Sequence, residues 1–476
     1  MKPEWSIGLP HAIDAARGQT DSGDAWSPGW FDMDLPKGRA VHIVITAETE
    51  MPADWAEFQT LRQNILAPLA SLAKTPLEQR LLPNLSAYIV DRDAGSSIIA
   101  GYPWFLDWGR DTLIVCRGMI ACGLAVEAGK ILSTYAALEK NGTLPNMLSA
   151  DSTANRDTSD APLWLALASK EAVDALGKKF LQTPLSDGRT LIDALEAIAE
   201  GYFAGTPNGI KTDPGSGLVW SPPHFTWMDT NYPAASPREG YPVEIQALWL
   251  CLLRLLAEVL PKARSQKWQK LAALVESSLE LFWLEPEGYF ADVLFAPAGR
   301  PAREAWPADH LRPNQLFLIS LGLVRGTRAQ STVLAALRHL VVPGAMRSLA
   351  PLPVKTALPV HTPWGLLVND PHHPYFGRYE GDEDTRRKPA YHNGTAWVWP
   401  LGVFCESMAM AWPDDQAAKA SALAILGSVD QLLSRGCIGH LPEIIDGDAP
   451  HTHRGCDAQA WSLSEIIRAE RVINNG

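Results

Sequence analysis

The sequence predicts a mainly α-helical fold in which the helices form a double-layered barrel, preceded by a short β region. Helical patterns follow one another from about residue 76 to the end of the 476-residue chain. Many of these patterns are apolar on more than one side, which is typical of inner helices that other helices cover. The first 50 residues instead alternate like strands and are broken by Gly, Pro and Asp.

The chain is predicted to divide into three parts. Residues 1–50 read as a partial β-sandwich-like region, with a strand at 39–47 (RAVHIVITA). Apolar residues at helical spacing over about 52–74 predict a helix, which we interpret as a helical linker at 51–75. The barrel then occupies 76–476.

Helical periodicity marks most of the barrel region. The predicted helices are 112–140, 190–203, 243–260, 265–284, 314–323, 329–340, 395–411, 414–433 and 458–473. Long loops rich in Gly, Pro, Trp and Asp separate them. Loops of that length inside a compact domain are usually functional, and their aromatic content argues against disorder.

Composition excludes several classes of partner and cofactor. The net charge of −12 argues against nucleic acid and an anionic membrane as partners. The six cysteines form no C-x-x-C pair and no His cluster lies beside them, so we expect neither a metal nor another cofactor. The N-terminus lacks an apolar signal core, and 247–260 is too short to span a bilayer, which predicts a cytoplasmic protein. Composition sets no oligomeric state.

Tryptophan is unusually frequent: 18 residues, against 10 Tyr and 12 Phe. Indole rings match the C–H faces of sugars, although they also fill large cores. Four loop segments place carboxylates, Arg or His beside Trp or Tyr and precede helices: 103–111, 225–244, 378–399 and 439–461. In a barrel these loops meet at one end, where they would form a cleft suited to a neutral polyol.

Two separated carboxylates in such a cleft suit glycoside hydrolysis with inversion. One acts as the acid that protonates the leaving oxygen, and the other as the base that activates water. Asp229 follows Trp227, so an apolar surround could keep it protonated. Glu443 lies in a Gly/Asp/Pro-rich loop, where we expect an exposed, ionised base. Asp446 and Asp448 compete with Glu443 for that role.

Simpler interpretations stay open at this point. Asp111 precedes an apolar helical run and could be an N-cap worth about 1 kcal/mol. Asp229 could be an ordinary loop carboxylate. A Trp-rich composition could serve the core alone.

Five motifs together carry a family likeness. They occur in order over about residues 100–470: GYPWFLDWGRDT, FTWMDT with PREGYPVEIQALW, RPNQLF, AYHNGTAWVWPLG, and LPEIIDGD with AQAWS. The set resembles the glucosidase domain of glycogen debranching enzymes. The resemblance implies an (α/α)6 barrel and an exo-acting amylo-α-1,6-glucosidase without a cofactor. Such an enzyme removes single α-1,6-linked glucose stubs from a branched α-glucan or oligosaccharide, with inversion.

The resemblance also implies roles for residues. Asp229 in TWMD matches the general acid and Glu443 in LPE the general base. Arg110 and Asp111 in WGRD resemble a pair that holds the hydroxyls of the terminal glucose. The remaining residues implied to wall or line the pocket are Trp104, Trp108, Trp227, Tyr391, His392, Trp397 and Gln459.

The sequence departs from the family pattern in two places. Residues 387–389 read Arg-Lys-Pro where Arg-Asp is expected before AYH, and the N-terminal β region is short. There is also no room for the transferase barrel of eukaryotic debranching enzymes. Two alternatives therefore accompany the main prediction: an inverting glycosidase that acts on a small α-glucoside, and a non-catalytic glycan-binding protein.

Overall fold

The structure is a computed structural model that describes residues 3–16, 20–30, 32–45, 51–92, 95–148, 155–231 and 236–475. Within these ranges the protein is mainly α-helical, which confirms the predicted class. The helices are α1 Ala12–Ala16, α2 Trp55–Leu72, α3 Pro76–Leu81, α4 Gly109–Ala121, α5 Ala125–Ala137, α6 Ala161–Leu176, α7 Leu191–Ala204, α8 Val243–Val259, α9 Lys262–Ser278, α10 Phe317–Ser320, α11 Gly326–His339, α12 Lys388–Tyr391, α13 Trp399–Ala411, α14 Gln416–Leu426 and α15 Ala460–Asn475.

Short strands lie between the helices. They are β1 Glu4–Pro10, β2 Ser22–Ser27, β3 Ile89–Arg92, β4 Gly95–Ile98, β5 Gly101–Tyr102, β6 Lys211–Thr212, β7 Val219–Trp220, β8 Gly240–Pro242, β9 Trp283–Leu284, β10 Tyr289–Phe290, β11 Val293–Phe295, β12 Trp306–Pro307, β13 Val341–Val342, β14 Ala345–Arg347, β15 Ala396–Trp397, β16 Ile444–Ile445, β17 His453–Arg454 and β18 Ala458–Gln459. Strands β13 to β17 pair in sequence order, and β5 pairs with β18.

In the described part of the chain, six helices contact one another in a closed ring. Helix α4 packs on α6, α6 on α8, α8 on α10, α10 on α13, α13 on α15, and α15 returns to α4. Helices α5, α7, α9, α11 and α14 pack outside this ring, and α3 packs on α15. Ring helices such as α4 and α8 are buried along nearly their whole length, as their apolar sequences predict.

Glycines allow the ring helices to approach closely. A Cβ atom on Gly118 of α4 would lie 2.7 Å from the Cβ of Ser464, and one on Gly402 of α13 would lie 2.6 Å from the carbonyl oxygen of Glu465. Both neighbours belong to α15. Any larger side chain at either glycine would push α15 outward, so these two positions fix the tightest part of the ring.

The structure differs from the predicted helices at several points; residues 283–284 of the predicted helix 265–284, for example, form strand β9. The predicted helix 112–140 is two helices, α4 and α5, because the chain turns at Gly123, whose φ is +95°. Helix α6 was not predicted. Its first half, APLWLALA, is apolar at every position and so lacks the one-sided period that predicts a helix.

The N-terminal region differs from its prediction. Strands β1 and β2 pair antiparallel around the short helix α1. No strand lies over 39–45, where one was predicted, and residues 46–47 fall outside the described ranges.

The division into domains stays a prediction. None of the described helices is long and apolar enough to span a membrane.

Two small sheets cover one end of the ring. The β5–β18 pair joins the segment before α4 to the segment before α15. Strand β15, which precedes α13, pairs with β14 and β16. These ladders bring the loops at the N-terminal ends of α4, α13 and α15 together, which is where the predicted site residues lie.

Candidate active site

A pocket of about 170 Å³ opens at the N-terminal ends of α4, α13 and α15. This volume is below the roughly 300–1,000 Å³ of pockets that hold drug-sized ligands, and it suits a single sugar ring. Its lining residues are Phe105, Trp108, Arg110, Asp111, Trp227, Asp229, Tyr391, Trp397, Glu443, Gln459 and Trp461. Segments that are far apart in the chain therefore share one small cavity.

Asp229 forms one wall of the pocket. Its side chain is 34% exposed, and its Oδ2 accepts a hydrogen bond of 3.0 Å from Nη1 of Arg110. Burial raises the pKa of Asp229, while the charge of Arg110 opposes that shift. The wall thus holds a carboxyl group with a raised pKa beside a cation.

Arg110 is committed mainly to the protein. Its Nε donates to Asp160 over 2.7 Å, and its Nη2 donates to the carbonyl oxygen of Thr226 over 3.1 Å. With the bond to Asp229, three of its donors are used. The guanidinium therefore fixes Asp229 in place, in addition to facing the pocket.

Glu443 lies on the pocket wall immediately before β16 and is only 2% exposed. The expectation of a solvent-exposed base is therefore wrong. Its Oε1 accepts a hydrogen bond from the Tyr391 hydroxyl, and its Oε2 accepts one of 3.1 Å from the backbone N–H of Cys456. Gly455 lies directly against this carboxylate, since a Cβ atom on Gly455 would overlap Oε2 of Glu443. Each oxygen of this carboxylate thus has a protein donor.

Asp111 is a third carboxyl group in the pocket. Its Oδ1 accepts a hydrogen bond of 3.0 Å from Nε2 of Gln459. Burial raises the pKa of Asp111 to about 8; Arg110 opposes the shift, and the charges of Asp229 and Glu443 add to it. The N-cap interpretation is wrong, because α4 begins at Gly109 and Trp108 occupies the cap position.

Aromatic rings form the rest of the wall. The Trp227 ring meets Trp397 edge-on with ring centroids 5.3 Å apart, and Tyr391 lies 4.8 Å from Trp397. The Trp461 ring also meets Trp397 edge-on, with ring centroids 6.0 Å apart. Sugar C–H faces pack well on such surfaces, while the carboxylates offer hydrogen-bond acceptors to hydroxyl groups.

Two predicted residues lie outside the pocket lining. Nε1 of Trp104 donates to Asp14 of α1 over 2.8 Å. His392 is fully buried behind the wall, where its ring stacks on Trp397 and its Nδ1 lies 2.9 Å from Oγ1 of Thr230. Burial and nearby arginines hold the pKa of His392 well below its usual range, so the ring is neutral.

Sequence reasoning missed Phe105 and Trp461 as lining residues. Both stand in motifs that carry the family likeness, PWFLDWGRDT and AQAWS. The signal was present, but nothing in the sequence distinguishes a ring that faces the cavity from its neighbour in the same turn.

The two carboxylates that competed with Glu443 are engaged elsewhere. Asp446 accepts from the backbone N–H of Tyr379 over 2.8 Å and is ion-paired with Arg454. Asp448 accepts from the hydroxyl of Tyr375 over 2.8 Å. Neither lines the pocket.

A second cavity of about 390 Å³ adjoins the first. Phe105, Asp229 and Tyr391 line both, so the two meet at Asp229. Its other lining residues are Thr230, Asn231, Tyr379, Glu383, Arg387 and Lys388. Across the described ranges, no group of three or more His, Cys, Asp or Glu side chains could hold a metal ion.

Solved glycosidase structures share this fold. A wild-type glycosidase superimposes with a TM-score of 0.54 at 14% identity and covers 86% of this chain and 98% of its own. A variant of a glycosidase in complex with glucose superimposes with a TM-score of 0.55 at the same identity and coverage. The chain therefore shares the fold of these structures.

The family model for amylo-alpha-1,6-glucosidase matches residues 83–356 and 354–468. The chain thus belongs to the amylo-α-1,6-glucosidase family, which confirms the resemblance seen in the sequence. The glycogen debranching enzyme of Saccharomyces cerevisiae (strain ATCC 204508 / S288c) is 23% identical over 83% of this chain. The chain spans about a third (32%) of the length of that relative.

Proposed function

We propose that this protein is an inverting, exo-acting amylo-α-1,6-glucosidase that hydrolyses single α-1,6-linked glucose stubs of glycogen-like branched glucans. One observation carries the proposal. Asp229 and Glu443, from distant parts of the chain, line the same sugar-sized pocket among aromatic rings. We further propose that the ring helices and their outer neighbours form an (α/α)6 barrel, which the closed ring of helix contacts supports.

In the proposed reaction, the protonated carboxyl of Asp229 donates its proton to the glycosidic oxygen as the C1–O bond breaks. The carboxylate of Glu443 takes a proton from a water molecule, whose oxygen attacks C1 from the opposite face. The products are β-glucose and a glucan with a free 6-hydroxyl group. Such a pair requires carboxyl groups about 6.5–9.5 Å apart, which leaves room for the water.

The contacts of the two carboxyl groups fit these roles. Burial raises the pKa of Asp229, which favours the protonated form that an acid needs. Hydrogen bonds from the Tyr391 hydroxyl and from the Cys456 backbone N–H hold both oxygens of Glu443. These buried donors orient the proposed base in the wall of the pocket.

Asp111 is proposed to hold a hydroxyl group of the terminal glucose, with Gln459 orienting it. The aromatic wall of Trp108, Trp227 and Trp397 would stack on the ring. A cavity this small accepts one sugar ring and so favours exo action.

The second cavity is proposed to receive the leaving part of the substrate. It meets the first at Asp229, the proposed proton donor, so a bond between two sugar units would cross that point. Its larger volume and its polar lining, which includes Asn231, Glu383 and Lys388, suit the hydroxyl-rich surface of a glucan.

Release of glucose from a glycogen limit dextrin tests the proposal. We expect the wild type to release glucose first as the β-anomer, which proton NMR detects. Because general acid and base catalysis each contribute roughly 10²–10⁴-fold, Asp229→Asn and Glu443→Gln should each lose activity by that order. Unchanged release in both variants would overturn the assignment.

The two alternatives predict different results. A glycosidase specific for a small α-glucoside would release glucose from maltose or trehalose but never from the branched glucan. A non-catalytic binding protein would bind the dextrin without turnover in any variant.

The predicted cytoplasmic location stays a prediction.

A further inference from the structure

A buried cluster of four charged side chains lies behind the pocket wall. It consists of Arg238, Glu244, Asp292 and Arg312, each at most 2% exposed, and its formal charges cancel. Asp292 is at its centre. Its carboxylate accepts bonds of 2.7 and 3.0 Å from Nε and Nη2 of Arg238, and Nε of Arg312 lies 3.6 Å away. None of the four lines the pocket.

The first connection from this cluster reaches the turn that carries Asp229. Nη1 of Arg238 donates to Oγ1 of Thr226 over 2.9 Å, and that oxygen also accepts from the backbone N–H of Met228 over 3.3 Å. Arg238 itself holds a left-handed backbone conformation, with φ at +51°. Residues other than glycine keep such a conformation only where the surroundings enforce it.

The second connection reaches the pocket wall. Nδ2 of Asn314 donates to Oδ1 of Asp292 over 2.7 Å, and Oδ1 of Asn314 accepts from Nε1 of Trp227 over 2.7 Å. The amide is therefore oriented by Asp292 and in turn orients the indole of Trp227, two residues before Asp229 in the chain. The remaining contact of the amide is with the sulfur of Met228 at 3.5 Å.

The third connection crosses to the loop that carries Tyr391. Nη1 of Arg312 donates to the carbonyl oxygen of His392, and its Nη2 donates to Oδ1 of Asn393 over 2.9 Å. Tyr391 binds Glu443, the proposed base. Asp292 is thus linked to two loops. One carries the proposed acid, Asp229, and the other carries Tyr391, which binds the proposed base, Glu443.

We propose that Asp292 is a positioning residue. It holds the 226–229 turn, and with it the proposed acid Asp229, in a fixed position relative to the opposite wall of the pocket. The inference rests on the proposed function. Asp292 acts only through Arg238, Asn314 and Arg312 and never touches the substrate. Displacing a catalytic group by about 1 Å can cost on the order of 100-fold in rate. Loss of the Asp292 contacts should therefore slow the proton-transfer step.

The test uses two variants and a control. Asp292→Asn removes the central charge. Asn314→Leu breaks the link to Trp227 but leaves all four charges in place, so it serves if the first variant fails to fold. The control is Glu406→Gln, which disrupts a buried 2.8 Å ion pair with Arg468 where α13 packs on α15, away from the pocket.

Two substrates separate positioning of the acid from a general structural role. One is limit dextrin, whose leaving oxygen needs a proton. The other is α-D-glucosyl fluoride, whose fluoride leaves without one. We expect kcat on dextrin to fall on the order of 100-fold in Asp292→Asn and about 10-fold in Asn314→Leu. KM on dextrin and turnover of the fluoride should stay within about 3-fold of the wild type, in line with loss of the acid alone.

An equal fall on both substrates, or rates in the variants that match those of Glu406→Gln, would overturn the inference while leaving the proposed function intact. A wild type without activity on either substrate would overturn the proposed function itself, and the role of Asp292 with it.

Discussion

Arg110 and Asp229 form an ion pair of 3.0 Å in the wall of the pocket. On its other side the same guanidinium binds Asp160 over 2.7 Å. Burial and the charge of Asp160 raise the pKa of Asp229, whereas Arg110 and a backbone hydrogen bond lower it. The proton that the proposed general acid needs is therefore held by a balance in which Arg110 is the main opposing factor.

Replacing Arg110 by Met should shift this balance. Without the cation the pKa of Asp229 rises, so the acid stays protonated to higher pH and the alkaline limb of kcat/KM moves upward. The absolute rate falls, because Asp229 loses its hydrogen-bond donor. The measurement is the pH profile of glucose release from limit dextrin.

Arg117→Met is the matched control for that experiment. Arg117 is a buried arginine on the same helix, ion-paired with Glu171 over 2.7 Å, and lies outside the pocket lining. Both substitutions break a pair in which the arginine is buried, so both should lower stability. An alkaline limb that moves equally in both variants, or in neither, would contradict the role assigned to Arg110.

The raised pKa of Asp111, about 8, predicts how stability depends on pH. In the unfolded chain the group titrates near 3.9, so between about pH 4 and 8 the folded state binds the extra proton. Its contribution to the free energy of unfolding is complete below pH 4 and is lost as pH rises toward 8. The slope is at most about 1.4 kcal/mol per pH unit.

Asp111→Asn should remove that slope. Urea unfolding at pH 5 and pH 8 measures it, and the variant should gain stability relative to the wild type at the higher pH. A difference between the two proteins that does not change with pH would show that the carboxyl titrates in its ordinary range.

Gly455 lies against the carboxylate of Glu443 with a φ of +65°. In Gly455→Ala the new Cβ would overlap Oε2, so we expect Glu443 to move and glucose release to fall by on the order of 100-fold. The backbone strain adds about 1–2 kcal/mol of lost stability. Gly299→Ala is the control, since Gly299 has a φ of +82° with nothing within 4 Å of the added atom. Equal activity in the two variants would contradict the placement of the base.

Filling the second cavity should separate branched from small substrates. Asn231 lines that cavity and not the first, so Asn231→Trp should raise KM for limit dextrin about 10-fold or more, through loss of roughly 1.4 kcal/mol of binding. Release from α-D-glucosyl fluoride should stay within about 2-fold. Gln416→Trp on the outer helix α14 controls for added bulk. If Asn231→Trp had the same KM for dextrin as Gln416→Trp, the leaving part of the substrate would not occupy the second cavity.

The sequence predicted much of the pocket because its motifs are compact. WGRD places three lining residues and TWMD two within one turn, so finding either motif finds the residues. The same compactness explains the misses. Trp104 and Phe105 are neighbours, and only the fold decides that Phe105 faces the cavity while Trp104 binds Asp14. His392 turns behind the wall next to Tyr391 for the same reason.

Features that depend on distant contacts could not be predicted. The first half of helix α6, APLWLALA, is apolar at every position, so no period distinguishes it from a buried strand. Asp292 stands alone in a short apolar segment without a motif, and its partners come from two other parts of the chain, Arg238 and the segment with Arg312 and Asn314. The burial of Glu443 depends on Tyr391 and Cys456, which lie on either side of it in sequence and meet it only in the fold.

A crystal structure with glucose bound would test the proposed roles of Asp229 and Glu443 most directly. We expect the ring to lie against Trp227 and Trp397, with the carboxyl groups of Asp229 and Glu443 on opposite sides of the anomeric carbon, about 6.5–9.5 Å apart. Glucose bound outside this pocket, or carboxyl groups about 5–5.5 Å apart as in retaining enzymes, would contradict it.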